Sequence, residues 1–172
     1  VLGDAGGQCI GLPAGLAKGQ TGRQAYALAA GIAQNWQPDA QPAIVSAHWR
    51  SRQGRWPTSV TWTLQFYSPA SQRLAVVAVE GGQARLLRET VAPYPIATFD
   101  PTSWQVDSAR ALEVWWQAGG AAFMARHTEM ELTAQLRIED EGQRLIWTVT
   151  GIAAGQIWPV TLDGATGAPT QG

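Results

Sequence analysis

The sequence predicts an α+β fold of two tandem units, each a helix followed by an antiparallel meander, with the helix packed on one face of a three- to four-stranded sheet. Three observations predict it. Two Ala-rich helical stretches open 86 positions apart, as Thr21-Gly22-Arg23-Gln24-Ala25 and Asp107-Ser108-Ala109-Arg110-Ala111. The dipeptide Trp62-Thr63 recurs as Trp147-Thr148, 85 positions later. Each copy then runs through a Val-rich strand to an acidic-Gly turn, Glu80-Gly81-Gly82 and Asp163-Gly164. A fixed period inside one chain marks a repeated unit.

Residues 1–20 hold several glycines and no sustained period, and read as a mobile or draped N-terminal arm. Thr21 can cap the first helix through its hydroxyl. Tyr26, Leu28, Ala29, Ile32, Ala33 and Trp36 then follow helical spacing until Pro38 stops the helix. Ala43–Trp49 alternates as a strand, Arg52-Gln53-Gly54-Arg55 turns, and Val60, Trp62, Leu64 and Phe66 share one face of a second strand. Leu74–Val79 is nearly all apolar, which predicts an interior strand covered on both sides. A short fourth strand, Ala84–Leu87, completes the first unit, residues 21–89.

Residues 90–106 form a Pro-containing connector. Asp107 caps the second helix, with Ala111, Leu112 and Trp115 on its apolar side. Gly119-Gly120 ends that helix, because glycine enters the left-handed region without strain. In Met130–Ile138, Met130, Leu132, Ala134, Leu136 and Ile138 alternate with Glu131, Thr133, Gln135 and Arg137. That pattern predicts a sheet with one wet face and one face on a helix. Strands Leu145–Thr150 and Ile157–Leu162, joined by a loop Gly151–Gly155, finish the second unit, residues 107–168. Residues 169–172 form a tail.

The closing run Trp158-Pro159-Val160-Thr161-Leu162-Asp163-Gly164-Ala165-Thr166-Gly167-Ala168 resembles the end of the PepSY family, a cystatin-like α+β module. That family closes on a strand, an Asp-Ala pair, one variable residue and Thr-Gly. The resemblance covers residues 107–168, and residues 21–89 more faintly; Gly164 stands where the family has Ala. It implies an extracytoplasmic binding or inhibitory module, associated with peptidases or envelope sensing, and not a catalyst. Read physically, Asp163, Gly164, Thr166 and Gly167 form a structural turn. Asp163 accepts amides two or three residues on, and Gly167 takes a positive φ.

Composition narrows the function classes. The net charge is −1 and the pI about 6.1, so no basic field exists to hold nucleic acid. One cysteine, Cys9, permits no internal disulfide. No apolar run reaches the roughly 20 residues of a membrane helix. A charged fraction of 15%, nineteen Gly and nine Trp suit an exported, envelope-located protein, and the export segment is expected to lie outside this chain.

Chemistry-bearing motifs are sparse. Gly3-Asp4-Ala5-Gly6-Gly7 is like a serine-protease nucleophile loop with Ala at the nucleophile, and has no upstream partners. His48 and His127 lack metal-ligand spacing, and Glu139-Asp140-Glu141 sits at a hairpin tip without the spaced oxygens of a calcium loop. No metal or cofactor is expected. Trp36, Trp62, Trp115 and Trp147 fall at core positions. Trp49, Arg50, Arg52, Arg55 and Trp56 cluster around one turn, and Trp and Arg are the residues most enriched in binding hot spots. Arg stacked on Trp would also stiffen that hairpin.

The expectation is therefore a non-catalytic extracytoplasmic module that recognises a protein or peptide partner, a peptidase or sensor among the candidates, through sheet edges or the 49–56 hairpin. One alternative is a small-ligand binder or enzyme with a Trp-lined pocket, using His48 or His127 with Glu129 or Glu131. Another is a structural segment of a larger envelope protein.

Overall fold

The computed structural model describes residues 11–139 and 144–170. Cys9, the Gly3–Gly7 run and the turn Asp140-Glu141-Gly142-Gln143 lie outside these residues. Residues 11–20 of the arm carry one helical turn, α1 (Ala14–Ala17), which buries Leu16. Helix α2 (Gly22–Trp36) leads into β1 (Gln41–Arg50), β2 (Trp62–Ser68), β3 (Arg73–Glu80) and β4 (Gln83–Val91). Helix α3 (Ser108–Trp115) and a short α4 (Ala121–Ala125) precede β5 (Glu131–Ile138), β6 (Leu145–Ala153) and β7 (Gln156–Asp163).

The strands form one antiparallel sheet in the order β4-β3-β2-β1-β5-β6-β7. The first strands of the two meanders meet at its centre, where β1 pairs with β5 from Ile44↔Arg137 to Arg50↔Glu131. Several limits read from the sequence shift: β2 begins at Trp62, which leaves Val60 before the strand. β4 is longer than Ala84–Leu87, and β6 continues to Ala153 because Ala154-Gly155 alone makes the turn.

The helices cover one face. Helix α2 presents Ala25, Ala29 and Ala33 to the sheet, all at most 1% exposed. Their small side chains at successive i, i+4 positions set the helix face, and Leu28 consequently turns outward at 40% exposure. Thr21 and Gln24 form a reciprocal capping box at its start. Gly119 turns the chain out of α3 with φ 110°, and its α-carbon faces the Trp158 ring. A Cβ there would lie 2.6 Å from Trp158 Cζ2, so both the conformation and the contact require glycine.

Tryptophan N–H groups hold the helix starts. Trp62 Nε1 donates to the Gln20 carbonyl at 2.8 Å, one residue before the cap of α2. Trp147 Nε1 donates to the Val106 carbonyl at 2.8 Å, one residue before the cap of α3. The two helix starts also abut. Asp107 Oδ1 accepts from Ser108 N–H (2.7 Å) in its own helix and from Arg23 N–H (3.0 Å) in α2. Ser108 Oγ accepts from Gly22 N–H at 2.9 Å. One carboxylate thus answers free amides at two helix N-termini, where negative charge is favoured.

The core lies between helices and sheet, and it is aromatic. Trp104 is 1% exposed and meets Tyr26, Phe99 and Trp147 edge-on at ring separations of 6.0–6.3 Å. The connector therefore contributes core residues (Phe99, Trp104 and Val106), a role its Pro-rich sequence conceals. Trp62, Trp115 and Trp147 are fully buried, whereas Trp36 is half-buried and donates to Glu89 Oε2.

Candidate functional site

Strand alternation sends every second side chain to the other face, and among the described residues no helix or strand covers it. Cross-strand pairing arranges that open face in rows. One row runs Arg85, Ala78, Thr63, Ser46, Gln135, Thr148, Thr161 across all seven strands. A second runs Arg88, Val76, Gln65, Ile44, Arg137, Ile146, Asp163. A third joins His48, Thr133, Thr150 and Pro159. The fourth, Arg50, Glu131, Ile152 and Ile157, lies at one end of the strands.

Where β1 meets β5 the face holds an open trough of about 400 Å3. Its polar lining includes Ser46, Thr61, Thr63, Thr133, Gln135 and Thr148, with His48 and Arg137 as its basic groups. Ser46 Oγ donates to the Thr63 carbonyl at 3.2 Å. The side chains of Thr63, Thr133, Gln135 and Thr148 take no hydrogen bond among the described residues, so they are open to a bound group. His48 Nε2 stands 3.3 Å from Glu131 Oε2, and Arg50 Nε stands 3.6 Å from Glu131 Oε1. These side chains remain 40–65% exposed.

The residues singled out around the Arg52–Arg55 turn do not form one surface. Trp49 is 3% exposed, points to the helix side and packs edge-on against Trp62 at 6.0 Å. Trp56 is half-buried against the core, while Arg52 and Arg55 stand exposed on a tight turn closed by two backbone hydrogen bonds. Arg50 alone points to the open face. The expected Arg–Trp stacking in this hairpin is not found among the described residues; the guanidinium that lies over an indole is Arg23, 5.4 Å from the Trp104 ring. Alternation explains the difference: Val45, Ala47 and Trp49 share the buried side, and Ser46, His48 and Arg50 share the other.

At the closing turn, Asp163 Oδ1 accepts from Ala165 N–H (2.9 Å), Thr166 N–H (2.8 Å) and Thr166 Oγ1 (3.1 Å). The Thr166 amide chiefly, with the Ala165 amide and the Thr166 hydroxyl, holds the Asp163 carboxyl below its usual range, against partial desolvation. Gly167 has φ 75°, and its N–H donates to the Asp163 carbonyl. The Gly164 carbonyl accepts from Gln105 and Val106 N–H, fastening this turn to the start of α3.

His127 and Glu129 do not join the His48–Glu131 pair; His127 packs on Phe123 at 4.8 Å. The two sheet edges are each blunted. On β7, Pro159 lacks a donor, and the tail pairs through Thr170 N–H to the Thr161 carbonyl. β4 carries a bulge opposite Val76–Val77 and charged Arg85, Arg88 and Glu89. Bulges and charges discourage edge pairing. The open face, and not an edge, is therefore the candidate surface. The sequence signal for it lay in Thr61, Thr63, Thr133, Thr148 and Thr150, all at the polar positions of alternating strands.

No protein-family model matches the chain, and no curated protein matches it. A solved structure does: the crystal structure of a "putative lipoprotein" from Clostridium difficile 630 superposes with a TM-score of 0.55 at 8% identity, covering 83% of this chain and 87% of that one. In fold, this chain is similar to that protein.

Proposed function

We propose that this chain is a non-catalytic, extracytoplasmic binding module, built from two PepSY-like units, that recognises a protein or peptide partner on the open face of its sheet. The observation that carries the reading is the central trough, where the Thr63, Thr133 and Thr148 hydroxyls and the Gln135 amide take no hydrogen bond among the described residues. Free donors and acceptors on an accessible concave floor suit the N–H and C=O groups of a bound polypeptide. The paired Trp62–Gln20 and Trp147–Val106 contacts support two equivalent units, because each indole fastens the residue before a helix cap. Likeness to a "putative lipoprotein" supports an extracytoplasmic setting. The His48 and Glu131 side chains are 52% and 40% exposed, so the pair does not lie in a site from which water is excluded. Among the described residues a Trp-lined ligand pocket gains little support, since the cavity bordered by Trp49 measures about 10 Å3, roughly the lower limit for a single water.

The test is a crosslinked pull-down from an envelope fraction with three baits: the parent chain, a Thr133→Lys/Thr148→Lys variant and an Arg55→Ala variant. The reading expects a reproducible partner that the trough variant loses and the Arg55 variant keeps. Undiminished capture by the trough variant, with the bait folded, would sink it.

A further inference from the structure

We infer that the open face takes an acidic, extended polypeptide segment, held by Arg137 on one side and by Arg85 and Arg88 on the other. The inference rests on the reading of the face as a partner surface, and it names the chemistry of that partner.

The argument begins from which open-face charges are already engaged. Glu131 faces His48 and Arg50. Asp163 is occupied by the amides of its own turn. Arg85, Arg88 and Arg137 are exposed on this face, and among the described residues none has an ion-pair partner. Glu80, at the end of β3, also falls on this face by alternation, and just beyond β5 Glu139 is paired with Arg144. Among the described residues, three guanidinium groups on the sheet face that no described helix or strand covers thus have no carboxylate partner.

Spacing gives the partner a shape. Arg88 and Arg137 belong to the same cross-strand row, separated by Val76, Gln65 and Ile44. Four strand spacings of about 4.8 Å put them about 19 Å apart along the sheet. Arg85 heads the adjoining row, whose next members are Ala78, Thr63, Ser46, Gln135 and Thr148. An extended polypeptide covers that distance in about six residues. Its end carboxylates can meet the arginines, a geometry the planar guanidinium suits, while its backbone lies on the hydroxyl floor. Edge protection accounts for Arg85 and Arg88 alone, but Arg137 lies on the interior strand β5 and needs another reason. A polysaccharide is disfavoured because, among the described residues, the strands expose no Trp, Tyr or Phe ring on this face to stack on; Tyr67, which points to it, is 4% exposed.

The test is fluorescence anisotropy with a labelled oligoglutamate of about ten residues, with oligolysine and sulfated dextran as comparison probes. The parent chain, Arg137→Gln, Arg85→Gln/Arg88→Gln and a control, Arg110→Gln, are compared; Arg110 belongs to α3 and pairs with Glu113. Oligoglutamate should bind, oligolysine should not, and each face variant should weaken binding about three- to five-fold. Arg110→Gln should bind as the parent does, and added salt should weaken the complex. Absent oligoglutamate binding, equal affinity in the Arg110 and Arg137 variants, or binding of sulfated dextran alone would each overturn the inference. Adding Arg137→Gln to the pull-down separates the two readings. A partner lost by the Thr133/Thr148 variant and kept by Arg137→Gln removes the acidic chemistry and leaves the face as the site. A partner kept by both removes the face as well.

Discussion

On the helix-covered side, the strands present Val45, Trp62, Leu64, Val77, Leu132, Leu136, Trp147 and Leu162, each 0% exposed. On the opposite side four of those strands present Thr63, Ser46, Gln135 and Thr148, half-buried and bordering a trough. The two sets come from the same strands, one residue apart, so backbone pairing contributes equally to both. The difference lies in what covers them. Apolar burial at about 25 cal/mol per Å2 concentrates the fold's stability on one side, and leaves the side chains of the other available for recognition. Substitutions should therefore separate cleanly by face.

The largest effect should come from the covered face. Trp147→Ala removes a fully buried indole that packs on Trp104 and fastens Val106. A loss of about 3–5 kcal/mol is expected from the void alone, measured by urea unfolding. Trp147→Phe should cost much less. It keeps most of the volume, and the Val106 carbonyl still accepts from Trp104 Nε1 at 2.7 Å. A Trp147→Ala loss below about 1 kcal/mol would place the core elsewhere and break the comparison.

The covered face was largely legible in the sequence, and the open face only in part. Period-two alternation between Met130 and Ile138 identifies β5 and its inward residues from local sequence alone. The caps at Thr21 and Asp107 were legible because capping chemistry is local. Trp104 was not, because the connector has no period, and its burial depends on Tyr26 and Trp147, far away in sequence. The arginine neighbours of Trp49 suggest a surface residue, although the alternation of Val45, Ala47 and Trp49 places it inward. The trough needed the β1–β5 register, which joins positions about ninety apart and which no local signal encodes.

A smaller effect sharpens the comparison through pH, because Asp163 alternates toward the open face yet serves the fold. Its carboxyl is held low chiefly by the Thr166 amide, so the folded state binds its proton more weakly than the unfolded chain does. The contribution is therefore fully present above the unfolded value, about 4, and is lost as pH falls through the lowered folded value. Asp163→Asn should lower the melting temperature slightly at pH 6, and the gap from the parent should close as pH approaches 3. The carboxylates of Asp39 and Asp100 are lowered too, chiefly by the amides of Ala70 and Thr102, and are common to both proteins. Because Asp163 is largely solvated, screening keeps the effect modest. A gap that stays constant across that range would mean the side chain acts by shape and not by charge.

The smallest effect is the most discriminating. Thr133→Val and Thr148→Val keep a β-branched side chain suited to a strand and remove only a hydroxyl. If these hydroxyls serve binding and not folding, each variant should unfold within about 0.5 kcal/mol of the parent. A loss above about 1 kcal/mol would mean that the hydroxyl has a partner inside the folded chain. The trough would then be part of the fold's own packing, and the division of labour between the two faces would fail where it is most exposed to test.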